Sequence, residues 1–261
     1  MIHAGFAVAD ITPPVGAPIP GGFSPTPSVG VHDPLEVTAA VFADDEARLA
    51  VVGVDAVSLR TEDVLAARTR AEAVCGVPAD NILVAASHTH SGGPANDVLG
   101  VDSDPDYRAR IIEAIAEAVA EAWERRRPAQ VGWAAGEAEG LAWNRRWVMR
   151  DGSQQTHTDP DDPQAVGRAG PDDPEVLVLA ARDPGGELLG LVGNFTCHAT
   201  VMGGNQFSAG YPGAWRRMIR DITGAQMVFL NGAMGDVTQI NRKLDLPQRG
   251  EEGMARFARK L

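Results

Sequence analysis

The feature that most constrains the fold of this chain is an apolar run that ends in two histidines and two glycines. Residues 81–86 have the apolar character of a buried strand, and residues 87–94, with the sequence SHTHSGGP, follow directly. Side chains alternate between the two faces of a strand, so residues two positions apart share a face. We therefore expect His88 and His90 to point the same way, where the glycines open a loop towards a metal ion or a substrate.

A third histidine lies in a similar setting. His198 belongs to the segment 194–200, which also follows an apolar run and precedes glycines. Neutral imidazole is a common zinc ligand, and a catalytic zinc usually has three protein ligands and one open position. Each histidine alone could equally be a hydrogen-bonded structural residue. Asp55 and Asp236 also end apolar segments, and each could orient a metal-bound histidine or simply form a turn or a helix cap.

Apolar runs and turn signals divide the rest of the chain into interspersed strands and helices. This pattern predicts an α/β protein with mixed β-sheets, hairpins and outer helices, in a single domain spanning residues 1–261. Residues 150–174 carry no periodic apolar pattern and are predicted to be an extended surface loop. The expected hairpins turn at 44–46 and 183–186, and the expected helices cover 61–74, about 104–124, 213–222 and 250 onwards.

Composition excludes some classes of function. The 261 residues carry a net charge of −12, with only short basic clusters, which argues against nucleic-acid binding. The sequence lacks a run of roughly eighteen apolar residues, so we expect no integral membrane segment. The first residues lack the charged and apolar regions of a signal peptide, so a cytoplasmic location is expected, with secretion not excluded. A homo-oligomer is possible.

Six segments, taken together, resemble the neutral/alkaline (non-lysosomal) ceramidase family, the zinc-dependent amidases that cleave N-acyl-sphingosine. They occur in the family's order, which is more specific than any one of them. The usual Pro-Gly that ends the histidine signature is inverted here to Gly93-Pro94. The segments are 5–12 (GFAVADIT), 87–93 (SHTHSGG), 144–145 (NR), 194–200 (NFTCHAT), 208–213 (SAGYPG) and 231–238 (NGAMGDVT).

The resemblance implies a role for particular residues. His88 and His198 match the family's zinc ligands, and His90 matches a second active-site histidine. Arg145 matches a group that contacts the substrate or the transition state. Thr238 lies where the family has an active-site serine; it keeps the hydroxyl but adds a methyl group that stiffens the side chain. The same motifs supply Asp236 as a further candidate catalytic residue and Asn144, Asn231 and Gly235 as candidate substrate contacts.

The resemblance also has a gap at the C-terminal side. The family's remaining zinc ligands, a Glu and a Tyr, lie well downstream of the serine loop, whereas this sequence ends 23 residues after Thr238. Tyr107 and Tyr211 are its only tyrosines, and neither occupies the matching place. We therefore expect either a domain that is incomplete at its C-terminus or a metal site that is completed differently.

The expected function is zinc-dependent hydrolysis of the amide bond of an N-acyl substrate, ceramide-like or smaller, by metal-activated water. In that mechanism Arg145 helps to stabilise the oxyanion and His90 assists proton transfer. One alternative is a non-catalytic relative that binds a small ligand or a partner. Another is a metal-dependent esterase. Two-metal phosphoester chemistry is disfavoured because no Asp-rich motif surrounds His88.

Overall fold

The structure, a computed structural model, describes residues 1–159 and 161–261. It has both helices and strands in an α/β arrangement, as predicted. The α-helices are α1 (Thr61–Cys75), α2 (Pro105–Glu124), α3 (Gly210–Thr223) and α4 (Gly250–Lys260). The strands are β1 (His3–Asp10), β2 (Pro18–Ile19), β3 (Thr26–Pro27), β4 (Gly30–Val31), β5 (Glu36–Ala43), β6 (Arg48–Val54), β7 (Ile82–Ala86), β8 (Arg127–Pro128), β9 (Gln130–Glu137), β10 (Trp143–Asn144), β11 (Arg146–Met149), β12 (Gln154–Thr156), β13 (Ala165–Arg168), β14 (Glu175–Arg182), β15 (Leu188–Phe195), β16 (Gln206–Phe207), β17 (Gln226–Asn231) and β18 (Val237–Thr238).

Two larger sheets form the centre of the molecule, and both are mixed. One has the strand order β7-β6-β5-β1-β8 and the other β17-β15-β14-β9. The predicted hairpins are confirmed, because β5 pairs antiparallel with β6 and β14 pairs antiparallel with β15. In each sheet one edge pair is parallel, β6 with β7 and β15 with β17.

The two sheets pack face to face, and helices cover their outer faces. Alternation along the strands explains this layering: Val228 of β17 packs with Phe6 and Ala40 between the sheets, whereas its neighbour Phe229 faces the helix side. Helices α1 and α2 pack on the first sheet, and α3, with α4 beside it, packs on the second. Helix α2 begins as predicted, with Asp104 accepting hydrogen bonds from the backbone of the first turn.

The prediction of an extended loop over 150–174 is wrong in part. Strands β12 and β13 lie in this region and pair on either side of β11, forming a three-stranded sheet. The residues of β12 are all exposed, so the sequence carries no buried face from which alternation could be read. Pro160, which the same prediction covered, lies outside the described residues.

The carboxyl ends of three strands meet at one end of the molecule. Strand β7 runs parallel to β6, and β17 runs parallel to β15. Strand β7 also contacts β17 across the interface between the two sheets. The loops that follow these strands, 87–94, 196–200 and 232–238, therefore emerge together. Among the described residues, no helix has the length and apolar character needed to cross a membrane.

Candidate metal centre

Three histidine side chains converge where these loops meet. The Nε2 atom of His88 lies 3.2 Å from that of His198 and 3.3 Å from that of His90. The Nε2 atoms of His90 and His198 are 3.1 Å apart. His90, which the sequence placed beside the metal as a catalytic group, is therefore an equal member of the cluster. The three residues form a group able to hold a metal ion.

The outer nitrogen of each imidazole is held by a backbone carbonyl. His88 Nδ1 lies 2.6 Å from the carbonyl oxygen of Val57, and His90 Nδ1 lies 3.0 Å from that of Gly21. His198 Nδ1 is 3.3 Å from the carbonyl oxygen of Met234. A carbonyl can only accept, so each Nδ1 carries the proton and donates it. In a neutral ring this leaves every Nε2 with a lone pair and no hydrogen.

This tautomer assignment explains what the cluster can do. Three Nε2 lone pairs point at one another, and none of them can donate a hydrogen bond to the others. Without a cation the three lone pairs repel one another, and a cation between them would accept all three as ligands. Nitrogen ligands about 2.0–2.1 Å from a tetrahedral zinc ion lie about 3.3–3.4 Å apart, close to the separations found here. The donor set and its spacing therefore fit zinc, with carbonyls that fix the rings from behind.

Burial keeps the three rings neutral. It is the main cause that lowers the pKa of His88 and of His90, and it lowers the pKa of His198 to about 4. The positive charge of Arg145 acts in the same direction on all three rings. Neutral imidazole is the form that ligates metals, so the cluster is ready to bind a cation at neutral pH.

The first two histidines are brought together by a turn rather than by strand alternation. Strand β7 ends at Ala86, and His88 adopts a φ of 64°, in the left-handed region that side chains rarely enter. Its backbone N–H donates to the carbonyl of Ala56 at 3.0 Å, and its ring donates to the next residue, Val57. His88 and His90 are therefore close together, as expected, but a left-handed turn brings them together and not the alternation of a strand.

Asn231 joins the two histidine loops, and its expected contact with substrate stays a prediction. Its side-chain amide donates to the carbonyls of Ser87 and Cys197, each at 3.1 Å, and its Oδ1 accepts from the backbone of Cys197 at 3.3 Å. Ser87 and Cys197 immediately precede His88 and His198 in the sequence. The amide of Asn231 therefore sets the distance between these two histidines.

Arg145 lies beside the loop that follows β17. Its Nη2 donates to the carbonyl of Gly235 at 2.6 Å, and its backbone N–H donates to that of Asp236 at 2.7 Å. Asn144 is buried, and its amide donates to the Asp236 carboxylate at 2.9 Å. The structure thus places Asn144, Gly235 and Asp236 as supports of the loop and of Arg145. A contact of Asn144 and Gly235 with substrate and a catalytic role for Asp236 stay predictions.

Thr238 is buried on β18, where it pairs with Trp143 of β10. Its hydroxyl lies 3.4 Å from Oε1 of Gln239 and accepts from the backbone N–H of Ile240 at 3.3 Å. It also lines a small pocket together with Arg145. A catalytic role for this hydroxyl stays a prediction.

Two cavities reach the cluster and a third lies at Arg145, and they differ in character. A groove of about 520 Å³ reaches His88 between α1 and β7 and is lined mostly by apolar side chains such as Leu59, Val64 and Val84. A cleft of about 220 Å³ reaches His90. A pocket of about 20 Å³ lies at Arg145. The cluster is therefore accessible from more than one side, with one apolar approach.

Several of the residues that hold the site could not be found from side-chain chemistry. Val57, Gly21 and Met234 act through their carbonyl oxygens, and a backbone carbonyl leaves no trace in residue type. The only sequence signal was positional, because Gly21 lies in the long Gly- and Pro-rich segment before β5. Asp55 does not orient a histidine through its carboxylate; it forms a buried ion pair with Arg216.

The fold is that of a known enzyme. A crystal structure of neutral ceramidase from Pseudomonas aeruginosa matches 99% of this chain with a TM-score of 0.78 and 22% identity. A second structure, described as ceramidase complexed with C2, matches 99% of this chain with a TM-score of 0.80 and 22% identity. The chain spans 44% and 43% of those two chains. No protein-family model and no curated protein matches. The resemblance found in the sequence is thus confirmed for the fold.

Proposed function

We propose that this chain is the metal-binding part of a zinc-dependent hydrolase that cleaves the amide bond of an N-acyl substrate. One observation carries the proposal: three proton-free Nε2 atoms converge within 3.1–3.3 Å, with each ring fixed from behind by a carbonyl. The shared fold with neutral ceramidase supports it, and so does the order of the six matched segments. We further propose that the chain is a member of the ceramidase family.

His88, His90 and His198 would hold the ion. Zinc at this place would supply Lewis-acid chemistry, lowering the pKa of a water molecule and polarising the substrate carbonyl. Arg145 presents a guanidinium beside the three rings, where it can stabilise negative charge that develops on the carbonyl oxygen. The Gly235 carbonyl holds this guanidinium in place. The apolar groove that reaches His88 gives a hydrocarbon chain of the substrate a place to lie.

Metal analysis tests the ligand assignment most directly. Purified protein should contain about one zinc per chain, and a His88→Ala, His198→Ala double variant should contain almost none. Hydrolysis of a panel of N-acyl amides should fall by roughly a thousandfold or more, because several kcal/mol of transition-state stabilisation are removed. His3→Ala is the matched control, since His3 lies near the N-terminus, with its ring against the Met1 carbonyl.

The outcomes separate the alternatives. Loss of neither metal nor activity in the double variant would disprove the assignment. Stoichiometric zinc without hydrolysis of any amide would point to a non-catalytic relative. Hydrolysis of O-acyl esters but not of the matching N-acyl amides would point to an esterase that uses the same histidines.

A further inference from the structure

A cluster of arginines lines the pocket beside the candidate metal centre. Arg145, Arg168 and Arg242 contribute to its wall, and His157 and Thr158 complete this side. The residues come from four separate segments of the chain, so the pocket is produced by the fold and not by a basic run in the sequence. In a protein with a net charge of −12, such a positive site is unlike the rest of the molecule.

The arginines of this pocket form no close ion pair with any residue that the structure describes. Among the described residues, other arginines form close ion pairs, for example Arg60 and Arg108, but none of these three lies within 4.0 Å of a carboxylate. Arg145 and Arg168 are partly buried and donate to backbone carbonyls, those of Gly235 and Asn144. The nearest acidic groups already accept hydrogen bonds from Asn144. The charges of Asp236 and Asp172 act on Arg145 and Arg168, so positive charge is only partly compensated here, with three arginines near two carboxylates.

Two other side chains of the pocket, His157 and Thr158, also bear on the charge of a group that could bind there. Burial first, and then the charges of Arg145, Arg242 and Arg249, lower the pKa of His157. The hydroxyl oxygen of Thr158 is fully buried and has no hydrogen-bond partner among the described residues. Buried hydroxyl groups are normally satisfied, so an unpartnered one in a pocket wall is a donor that a ligand can use.

The pocket adjoins the candidate metal centre. Arg145 lines the pocket, and its Nη2 donates to the carbonyl of Gly235, the neighbour of Met234, whose own carbonyl holds the His198 ring. Thr238 lies in the pocket wall, and the carbonyl of the preceding residue, Val237, accepts the backbone N–H of His198 at 3.2 Å. The pocket wall is therefore continuous with the segments that support Arg145 and His198.

We propose that this arginine pocket binds an anionic group of the substrate, a carboxylate in particular, and that the preferred substrate is an N-acyl amide with a negative charge close to the scissile bond. The planar guanidinium fork matches a carboxylate with two hydrogen bonds. A volume of about 20 Å³ suits a small planar group. The inference rests on the function proposed above and deepens it, since it assigns the substrate class.

The test uses two probes that differ only at the group in question. N-octanoylglycine and N-octanoylethanolamine share the acyl chain and the amide, but one carries a carboxylate where the other carries a neutral hydroxymethyl group. Binding of each to the zinc-loaded protein is measured by calorimetry, and hydrolysis of each is measured separately. We expect the glycine conjugate to bind about tenfold more tightly or better, since hydrogen bonds to charged groups are the stronger ones.

Two variants test whether the arginine pocket causes the preference for the glycine conjugate. Arg242→Gln should reduce the ratio of the two affinities several-fold, and Arg168→Lys should do so while keeping the charge but losing the fork. The matched control is Arg182→Gln, an exposed arginine on β14, which should leave the ratio unchanged. Melting temperatures establish that each variant is folded.

The outcomes keep this inference separate from the proposed function. Equal affinity for the two probes, or a preference that survives Arg242→Gln, would overturn the anion pocket even if both amides were hydrolysed. Selective binding of the glycine conjugate without hydrolysis of either probe would support the pocket and disprove the proposed amidase. Selective binding together with faster hydrolysis of the glycine conjugate would support both.

Discussion

Two buried polar regions of this molecule are built from segments that are distant in the sequence. In one region the polar side chains bind one another, and in the other they leave atoms free to bind a ligand. In the first, the closed network, three carboxylates meet arginines of α3: those of Glu36 on β5, Asp55 just after β6 and Asp33 in the loop before β5. Arg216 binds Asp55 through two hydrogen bonds of 3.0 and 2.5 Å. The other pairs with these arginines are Arg216 with Glu36 at 3.4 Å, Arg217 with Asp33 at 2.9 Å and Arg220 with Glu36 at 3.2 Å.

In the second region, the three-histidine cluster, each Nδ1 has a hydrogen-bond acceptor, whereas no Nε2 has a hydrogen-bond donor among the residues that the structure describes. Every Nδ1 has its carbonyl, whereas three Nε2 lone pairs face one another. The closed network satisfies its own charges, so its contribution is to stability and to the placing of strands. The cluster leaves its bonding capacity for a group from outside. The difference teaches that three converging lone pairs, more than a single unpaired buried atom such as Nε of Arg216, mark a place for a ligand.

The largest effect should come from breaking the closed network. Arg216→Ala leaves the fully buried Asp55 carboxylate without its partner, and this should cost about 3–5 kcal/mol in the free energy of unfolding. Urea denaturation measures the loss. Arg182→Ala, at an exposed position, should change stability by less than about 0.5 kcal/mol. A loss below about 1 kcal/mol for Arg216→Ala would contradict the idea that this region is self-sufficient and structural.

Metal removal should distinguish the cluster from the network. Zinc at about a hundredfold excess over its dissociation constant should stabilise the wild-type protein by about 2.7 kcal/mol, because only the folded chain brings the three rings together. A chelator should reverse the gain in thermal melts. The His88→Ala, His198→Ala variant should show no such gain. An equal zinc-induced shift in that variant would place the metal elsewhere.

Asn231→Ala should affect the cluster through its spacing. Loss of the side-chain hydrogen bonds to Ser87 and Cys197 should cost about 1–3 kcal/mol of stability. Zinc affinity, measured by competition with a chelating dye, should fall by about 10–100-fold, as it does when groups that orient metal ligands are removed. Asn194→Ala is the matched control, since its amide makes a single hydrogen bond, to Leu230, away from the cluster. Unchanged zinc affinity in Asn231→Ala would contradict the spacing role.

The smallest effect should be a pH dependence at the edge of the closed network. Hydrogen bonding to Asp33, and next to it the contact with Glu251, raises the pKa of His32 above its ordinary value of 6.5, against an opposing effect of burial. The protonated ring is therefore favoured in the folded protein. Its stabilisation is fully present below pH 6.5 and is lost as the pH rises through the higher folded pKa.

The measurement is the stability difference between the wild type and His32→Gln across this range. The difference should be largest near pH 5.5 and should shrink towards pH 8.5. If the difference in stability instead grows with pH, the neutral form of the His32 ring is the one that stabilises the folded protein, which contradicts the prediction.

The sequence predicted the architecture well because most strands have a buried face. The hairpins, the capped helix α2 and the strand before each histidine loop all follow from apolar runs and turn residues. Strands β12 and β13 were missed because β12 is fully exposed and β13 buries no residue, so no alternation marks them. Pairing with β11, which the sequence does not reveal, is what makes them strands.

The candidate site was predictable where side chains carry the chemistry. Two spaced histidines and a third after another strand indicated a shared cation from residue types alone. The left-handed backbone at His88 and the carbonyl of Gly21 could not be predicted, since both depend on how remote loops pack. The arginine pocket was missed for the same reason, because Arg168 and Arg242 are isolated in the sequence and meet only in the fold.

The carbonyls that hold the three rings have a consequence for biosynthesis. Gly21 and Met234 are more than two hundred positions apart in the sequence, and the rings are fixed only when both carbonyls are in place. A nascent polypeptide on the ribosome must therefore emerge past Met234 before all three nitrogens can bind one ion. Cation capture then reports that the two sheets have already packed against each other.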